Sequence, residues 1–203
     1  MHAPSAGLAA ALASMRQGHP ARAAEGCRRL LESTPDDFGG GHLLGAGEEC
    51  RRLHEPSPND CGARHLLGAA LMAAGEHEAA EREIARAIAI DPAVPGAHYN
   101  RGNALQALGR FDDAVASYDE ALRRKPDFAE ALRNRGDAFA RGGQAAQAID
   151  SYHAALALHP EWSDTWNNLG SLLFAAQRHE DALVAYRSAI AAGPHVATPW
   201  GNA

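Results

Sequence analysis

The chain is short of lysine, aromatic residues and cysteine, and each shortage excludes a class of protein. Lys125 is the single lysine, and with a formal net charge of -6 a basic surface that binds nucleic acid through phosphates is not expected. Aromatic residues make up 6% of the chain, which disfavours a sandwich of aromatic strands. The three cysteines, Cys27, Cys50 and Cys61, follow no CxxC spacing, so the sequence predicts neither a disulfide scaffold nor a zinc ribbon. A reducing cytoplasm is the expected location.

The sequence also lacks the spacings that carry chemistry or cross a membrane. No apolar run approaches the roughly 18 residues that a membrane-spanning helix needs. The eleven histidines never occur as HxxxH, the helical spacing that brings two metal ligands together, and no GxxxxGK[ST] or GxSxG motif is present. His42 and His65 occupy copied positions and are interpreted as surface or half-buried residues. We therefore expect no catalytic residue, no metal, no cofactor and no membrane partner.

In contrast, the chain is rich in alanine and repeats itself every 34 residues. The columns contain Gly68, Gly102, Gly136 and Gly170; Ala80, Ala114, Ala148 and Ala182; Ala87, Ala121, Ala155 and Ala189; Pro92, Pro126, Pro160 and Pro194; and Tyr118, Tyr152 and Tyr186, with Ile84 one repeat earlier. Glycine and alanine predict positions where two helices cross closely, and tyrosine supplies bulk between neighbouring repeats. Each proline ends a helix, because it has no amide hydrogen and clashes with the preceding turn. Three further glycines, Gly75, Gly109 and Gly143, fall at the predicted turn inside a repeat, where Gln177 stands in the last full repeat.

This pattern resembles the tetratricopeptide repeat (TPR) family, with glycine at the eighth position, alanine at the twentieth and twenty-seventh, and proline at the thirty-second. Trp166 and Trp200 stand at the fourth position, where the family often carries tryptophan. The resemblance implies an all-α, right-handed superhelical solenoid of antiparallel helix pairs. Similar superhelices occur in bacterial TPR proteins and at the N-terminus of O-GlcNAc transferase-like glycosyltransferases. In this family the first helix of each pair lines a concave face that holds other polypeptides.

The register divides the chain into repeats of unequal quality. Full repeats are predicted at 61–94, 95–128, 129–162 and 163–196, a weak repeat at 4–37, a truncated or degenerate repeat at 38–60, and the start of an incomplete repeat at 197–203. The truncated segment follows from a duplication, because CRRLLESTPDDFGGGHLLG is echoed by CRRLHEPSPNDCGARHLLG. We expect this glycine-rich segment to be the least regular part of the chain, with a kink in the solenoid. The open final repeat predicts that the sequence is the N-terminal part of a longer protein or an incomplete reading frame.

The sixth position of the repeats carries an asparagine column, which we call the ladder. Its members are Asn100, Asn134, Asn168 and Asn202, and the column fails one repeat earlier, where Leu66 stands. A primary amide donates to a carbonyl and accepts from an N–H, so a row of asparagines can hold an extended peptide by its main chain. The row resembles the asparagine ladder of O-GlcNAc transferases, which carries substrate polypeptides. Inheritance of an idle asparagine by repeat duplication is the alternative explanation.

Other polar residues stand beside the ladder on the same predicted helix face. They are Tyr99, Asn103, Gln106, Arg133, Asp137, Arg141, Asn167 and Ser171. Together they are candidates for reading the side chains of a bound peptide, although any one of them is also explained as a solvated helix residue. A carboxylate clamp for chaperone C-termini is not expected, since no lysine lies on this face.

The sequence therefore predicts a binding module that holds an extended peptide or a partner protein in its groove, and it assigns no chemistry to this chain. The alternative is a substrate-recruiting TPR arm of a larger enzyme, such as an O-GlcNAc transferase-like glycosyltransferase. A third interpretation is a structural protein that associates with a second copy through its uncapped C-terminal repeat.

Overall fold

A computed structural model describes residues 61–193 and 19–32, together with residues 10, 11, 13, 14 and 17. The predictions made for the truncated repeat 38–60, for the incomplete repeat 197–203 and for Asn202 lie outside this part of the chain. Within it, every element with defined bounds is an α-helix, so the predicted all-α fold is confirmed.

The helices follow one another in pairs along the chain. Their bounds are α1 Pro20–Glu32, α2 Cys61–Ala73, α3 His77–Ile90, α4 Pro95–Ala107, α5 Phe111–Arg124, α6 Ala129–Arg141, α7 Ala145–Leu158, α8 Ser163–Ala175 and α9 His179–Ala192. Each pair from α2 onward is joined by a three-residue turn, which is long enough only for two antiparallel neighbours. The helices α3, α5 and α7 each end two residues before a proline, as the proline column predicts.

The turn inside each pair requires a backbone conformation that favours glycine. Gly75, Gly109 and Gly143 have φ angles of 80°, 75° and 77°, and Gln177 has a φ of 60° at the equivalent turn. Residues with a Cβ adopt this left-handed region at a cost of roughly 1–2 kcal/mol, so the glutamine is the strained member of the column.

The chain forms two units, Met1–Pro126 and Asp127–Ala203. In the first unit each helix packs on its neighbour in the chain, and α2 also contacts α4, the first helix of the following pair. In the second unit α6 packs on α7, α7 on α8, and α8 on α9. The core of each unit consists largely of alanine and leucine, which allows the helix axes to lie close together.

The glycine and tyrosine columns fit each other within each helix pair. A Cβ added to Gly136 would lie 2.7 Å from the ring carbon Cδ1 of Tyr152, and one added to Gly102 would lie 2.5 Å from Cε1 of Tyr118. The tyrosine therefore does more than fill space between repeats, because its ring lies directly on the glycine of its own pair. Tyr118 and Tyr152 are buried, at 0% and 2% exposure.

Candidate functional site

In the first unit, one buried tyrosine gathers three of the predicted site residues. The Tyr118 hydroxyl, on α5, donates its single proton to Asn103 Oδ1 at 2.7 Å, and Gln106 Oε1 lies 3.0 Å from the same hydroxyl oxygen; both partners are on α4. The ring centroid of Tyr99 lies 6.0 Å from that of Tyr118, with the two planes inclined by 48°. These polar groups therefore have fixed positions on α4 and are not loosely solvated.

The ladder residue of this unit also has a protein partner. Asn100 Nδ2 donates to Nε2 of His65 over 2.5 Å, which joins α4 to α2, and both side chains are half-buried. Burial lowers the pKa of His65 below its usual value. The neutral imidazole then has Nε2 as its acceptor nitrogen and carries its proton on Nδ1.

In the second unit, a carboxylate takes the place of these amides. The Tyr152 hydroxyl donates to Asp137 Oδ1 at 2.6 Å. The side-chain amide of Asn168 lies beside both residues and lowers the pKa of each. Burial raises the pKa of Asp137, whereas the hydrogen bond from Tyr152 and the positive charges of Arg133 and Arg141 act in the opposite direction. Burial, followed by the contact with Asp137, raises the pKa of Tyr152, so its hydroxyl remains a proton donor.

Asn134, the other ladder residue of the second unit, lies beside an arginine with a defined position. The guanidinium carbon of Arg133 lies 4.8 Å from the ring centroid of Trp162, within cation–π range. His159 stacks on the same indole, with centroids 4.5 Å apart and planes inclined by 6°. Arg133 Nε also points at Asn134 Oδ1 over 3.5 Å, a long contact. The tryptophan thus holds the arginine next to the ladder amide.

The remaining predicted residues lie on α6 and α8. The Tyr186 hydroxyl donates to Ser171 Oγ at 3.3 Å, and Ser171 Oγ in turn donates to the backbone carbonyl of Asn167 at 3.0 Å. Asn168 and Arg141 are exposed, and Asn167 is half-buried.

One hydrogen bond recurs in these helix pairs, and it was not predicted from the sequence. In three helix pairs the column tyrosine donates its hydroxyl proton to the ninth-position side chain, which is Asn103, Asp137 or Ser171. A constant spacing of 15 residues between a polar side chain and a tyrosine was the available signal. Trp162 was not predicted as a site residue, because the last position of its repeat does not belong to the predicted helix face. His65 stands at the fifth position, in the same column as Tyr99, Arg133 and Asn167, but was interpreted only as a surface or half-buried residue.

Among the described residues, no group of three histidine, cysteine, aspartate or glutamate side chains is arranged to hold a metal ion. No helix in the same part of the chain has both the length and the hydropathy of a membrane span.

Comparisons with known proteins agree with this fold. A tetratricopeptide repeat family model matches residues 99–161 and 141–197. The crystal structure of MamA superposes with a TM-score of 0.74 at 16% identity, over 89% of this chain and 92% of that one. MamA 41-end from Desulfovibrio magneticus RS-1 gives 0.74 at 18% identity, over 93% of each chain. YrrB, described as a TPR protein with an unusual peptide-binding site, gives 0.70 at 17% identity, over 93% of this chain and 86% of that one.

A search of the curated proteins finds no match to the sequence. The structural likenesses lie below 20% identity and therefore concern the fold. The helix pairs, the glycine–tyrosine contacts and the match over residues 99–197 lead to one conclusion. Residues 99–197 are therefore identified as tetratricopeptide repeats, and the family resemblance inferred from the sequence is confirmed.

Proposed function

We propose that this chain is a protein-interaction module that holds an extended peptide, or an extended segment of a partner protein, along the first helices of its pairs. The supporting observation is that these helices present fixed polar groups. In each unit the side chains beside the ladder are anchored from below by buried tyrosine hydroxyls. An anchored amide or carboxylate loses less side-chain entropy when a ligand binds than a solvated one does.

The ladder asparagines supply the main-chain contacts in this proposal. Packed helices lie on the order of 10 Å apart, and an extended peptide rises about 3.3 Å per residue. Consecutive first helices, such as those that carry Asn134 and Asn168, would therefore meet about every third residue of a ligand. Asn202 would extend the row by the same rule. YrrB, which has the same fold, is described as having a peptide-binding site, and this favours a peptide ligand here.

Side-chain recognition falls to the residues around the ladder. In the second unit Arg133 and Arg141 offer positive charge for acidic ligand groups, and Arg133 is held in place by Trp162. In the first unit Tyr99, Asn103 and Gln106 offer an aromatic face and amides. Asn167 and Ser171 complete the set on α8, the first helix of the last pair that the structure describes.

The test begins with selection of peptides from a random library on the full chain. We then expect the triple variant Asn100→Ala, Asn134→Ala, Asn168→Ala to bind unrelated selected peptides at least tenfold more weakly, because several main-chain hydrogen bonds of about 0.5–1.5 kcal/mol each are lost. A matched triple on exposed second-helix positions, Arg82→Ala, Gln147→Ala and Arg187→Ala, serves as the control. Circular dichroism checks that both variants remain helical. Equal affinities of the ladder triple and the wild type would refute the main-chain role of the ladder.

The proposal assigns no catalytic step to this chain. The recruiting arm of a larger glycosyltransferase-like enzyme stays a prediction, which the genomic sequence downstream of Ala203 would test directly. A cytoplasmic location is likewise proposed, on the cysteine pattern alone.

A second mode of association concerns the last helix of the second unit. Ile149 and Leu156 on α7 are 8% and 4% exposed, whereas Leu183 and Ile190, which occupy the equivalent positions on α9, are 49% and 64% exposed in the described part of the chain. We propose that this apolar face mediates self-association. Light scattering should then give a mass of about twice 21.4 kDa, and Leu183→Glu with Ile190→Glu should return it to one chain. A wild-type chain that stays monomeric at high concentration would refute this mode.

A further inference from the structure

The asparagine ladder does not extend to the preceding repeat, where Leu66 stands in its column. The neighbouring residue His65 contacts Asn100, the first ladder asparagine. Its Nε2 lies 2.5 Å from Asn100 Nδ2, across two first helices that pack directly on each other. This contact spans 35 positions of the chain and joins the fifth position of one repeat to the sixth position of the next.

The imidazole of His65 has a defined seat. A Cβ placed on Gly96 would lie 3.7 Å from His65 Cε1, so the ring lies against the first turn of α4 at an ordinary contact distance. The side chain is half-buried, and burial favours its neutral form. A seated, neutral imidazole is a fixed acceptor for one of the two protons of the Asn100 amide.

The consequence concerns which end of the amide a ligand meets. A solvated asparagine turns about its χ2 bond and offers a ligand either its amino group or its carbonyl oxygen. With Nδ2 tied to His65, the Oδ1 atom points away from the imidazole. We propose that His65 is a positioning residue that directs the Asn100 carbonyl oxygen towards the groove. This ladder asparagine then accepts a backbone N–H of the ligand and rejects a ligand that has proline at the contacting position. The proposal rests on the proposed peptide-binding function.

The second unit contains an independent case of the same arrangement. The Asn168 side chain lowers the pKa of the Asp137 carboxyl, as a donated N–H does, so the amino group of Asn168 faces the carboxylate oxygens. Asp137 is itself fixed by the Tyr152 hydroxyl at 2.6 Å. In each unit, an acceptor from the preceding helix pair therefore orients the side-chain amide of a ladder asparagine, although the two acceptors differ chemically.

The first experiment needs no ligand. In the ¹⁵N-labelled full chain, the side-chain NH₂ signals of Asn100 are assigned by their loss in Asn100→Ala. We expect these signals to be dispersed and protected from exchange in the wild type, to move to the values of an exposed asparagine in His65→Ala, and to recover in His65→Gln, since glutamine supplies a carbonyl acceptor of similar reach. His153→Ala, which removes an exposed histidine on α7, should leave them unchanged. Asn100 signals that are identical in the wild type and His65→Ala would overturn the positioning role.

The second experiment measures selectivity with the peptides selected on the full chain. Each backbone N–H of one peptide is methylated in turn, and affinity is measured for the wild type, His65→Ala and His65→Gln. We expect methylation at one position to weaken wild-type binding about tenfold, the scale of one lost hydrogen bond with a donor removed. The penalty should fall below about twofold in His65→Ala, where the amide can turn, and return in His65→Gln. Equal penalties in all three proteins would refute the selectivity. If no peptide is selected, the proposed function fails together with this selectivity, and the amide signals alone decide whether His65 positions Asn100.

Discussion

The contact between Gly136 and Tyr152 leads to a prediction in which one substitution changes sign. A Cβ at position 136 would lie 2.7 Å from the tyrosine ring, and this ring is 2% exposed and cannot retreat into solvent. Overpacking of this kind costs about 1–3 kcal/mol. Alanine is preferred over glycine in a helix by about 1 kcal/mol, so Gly136→Ala should destabilise the wild type by a net of about 0–2 kcal/mol.

Truncation of the tyrosine removes the obstacle. Tyr152→Ala alone should destabilise by about 3–5 kcal/mol, as large aromatic truncations in a core do. In that background the new Cβ meets a cavity, and Gly136→Ala should stabilise by about 1 kcal/mol through helix propensity alone. The double-mutant cycle should therefore yield a coupling of about 1–3 kcal/mol.

Urea unfolding of the wild type, the two single variants and the double variant measures this coupling. Gly26→Ala is the control, because its Cβ would lie 3.7 Å from the nearest side-chain carbon of the described residues, an ordinary contact, and only the helix-propensity gain is expected. The packing assignment would be refuted if Gly136→Ala had the same effect with and without the tyrosine ring.

Two further predictions concern the turn and the histidines. Gln177→Gly should raise the free energy of unfolding by about 1 kcal/mol, because it removes a left-handed glutamine at φ 60°, and an unchanged urea midpoint would contradict this. The pKa values of His65 and His98 are lowered by burial, so the unfolded chain binds more protons than the folded chain below about pH 6.5. Stability should therefore be complete above that pH and should fall as the pH drops towards the folded-state pKa values. Thermal unfolding of the wild type and His65→Gln at several pH values separates the contribution of the imidazole from that of Asp137, because the raised pKa of Asp137 acts in the opposite direction. If thermal stability depended on pH equally in the two proteins, His65 would be excluded as a source of the pH dependence.

The sequence predicted the helix pairs well because their determinants are local and periodic. A glycine at the turn, a proline two residues beyond a helix and a small residue at a crossing each act within one pair, and repetition shows each of them several times. The same register indicated which polar residues share a face, and several of these residues do meet around tyrosines. The assignments made for residues outside the described part of the chain, Asn202 among them, remain predictions.

By itself, then, the sequence determined the fold class and the face of each helix on which the candidate site residues lie. Only the tertiary structure decided which side chains meet: His65 with Asn100 across 35 positions, and Arg133 with Trp162 across 29. The physical reason is that a repeat column reports what every pair needs for packing, whereas these contacts involve positions whose residue type changes from repeat to repeat. They depend on the distance between helices and on side-chain rotamers, and neither leaves a periodic trace in the sequence.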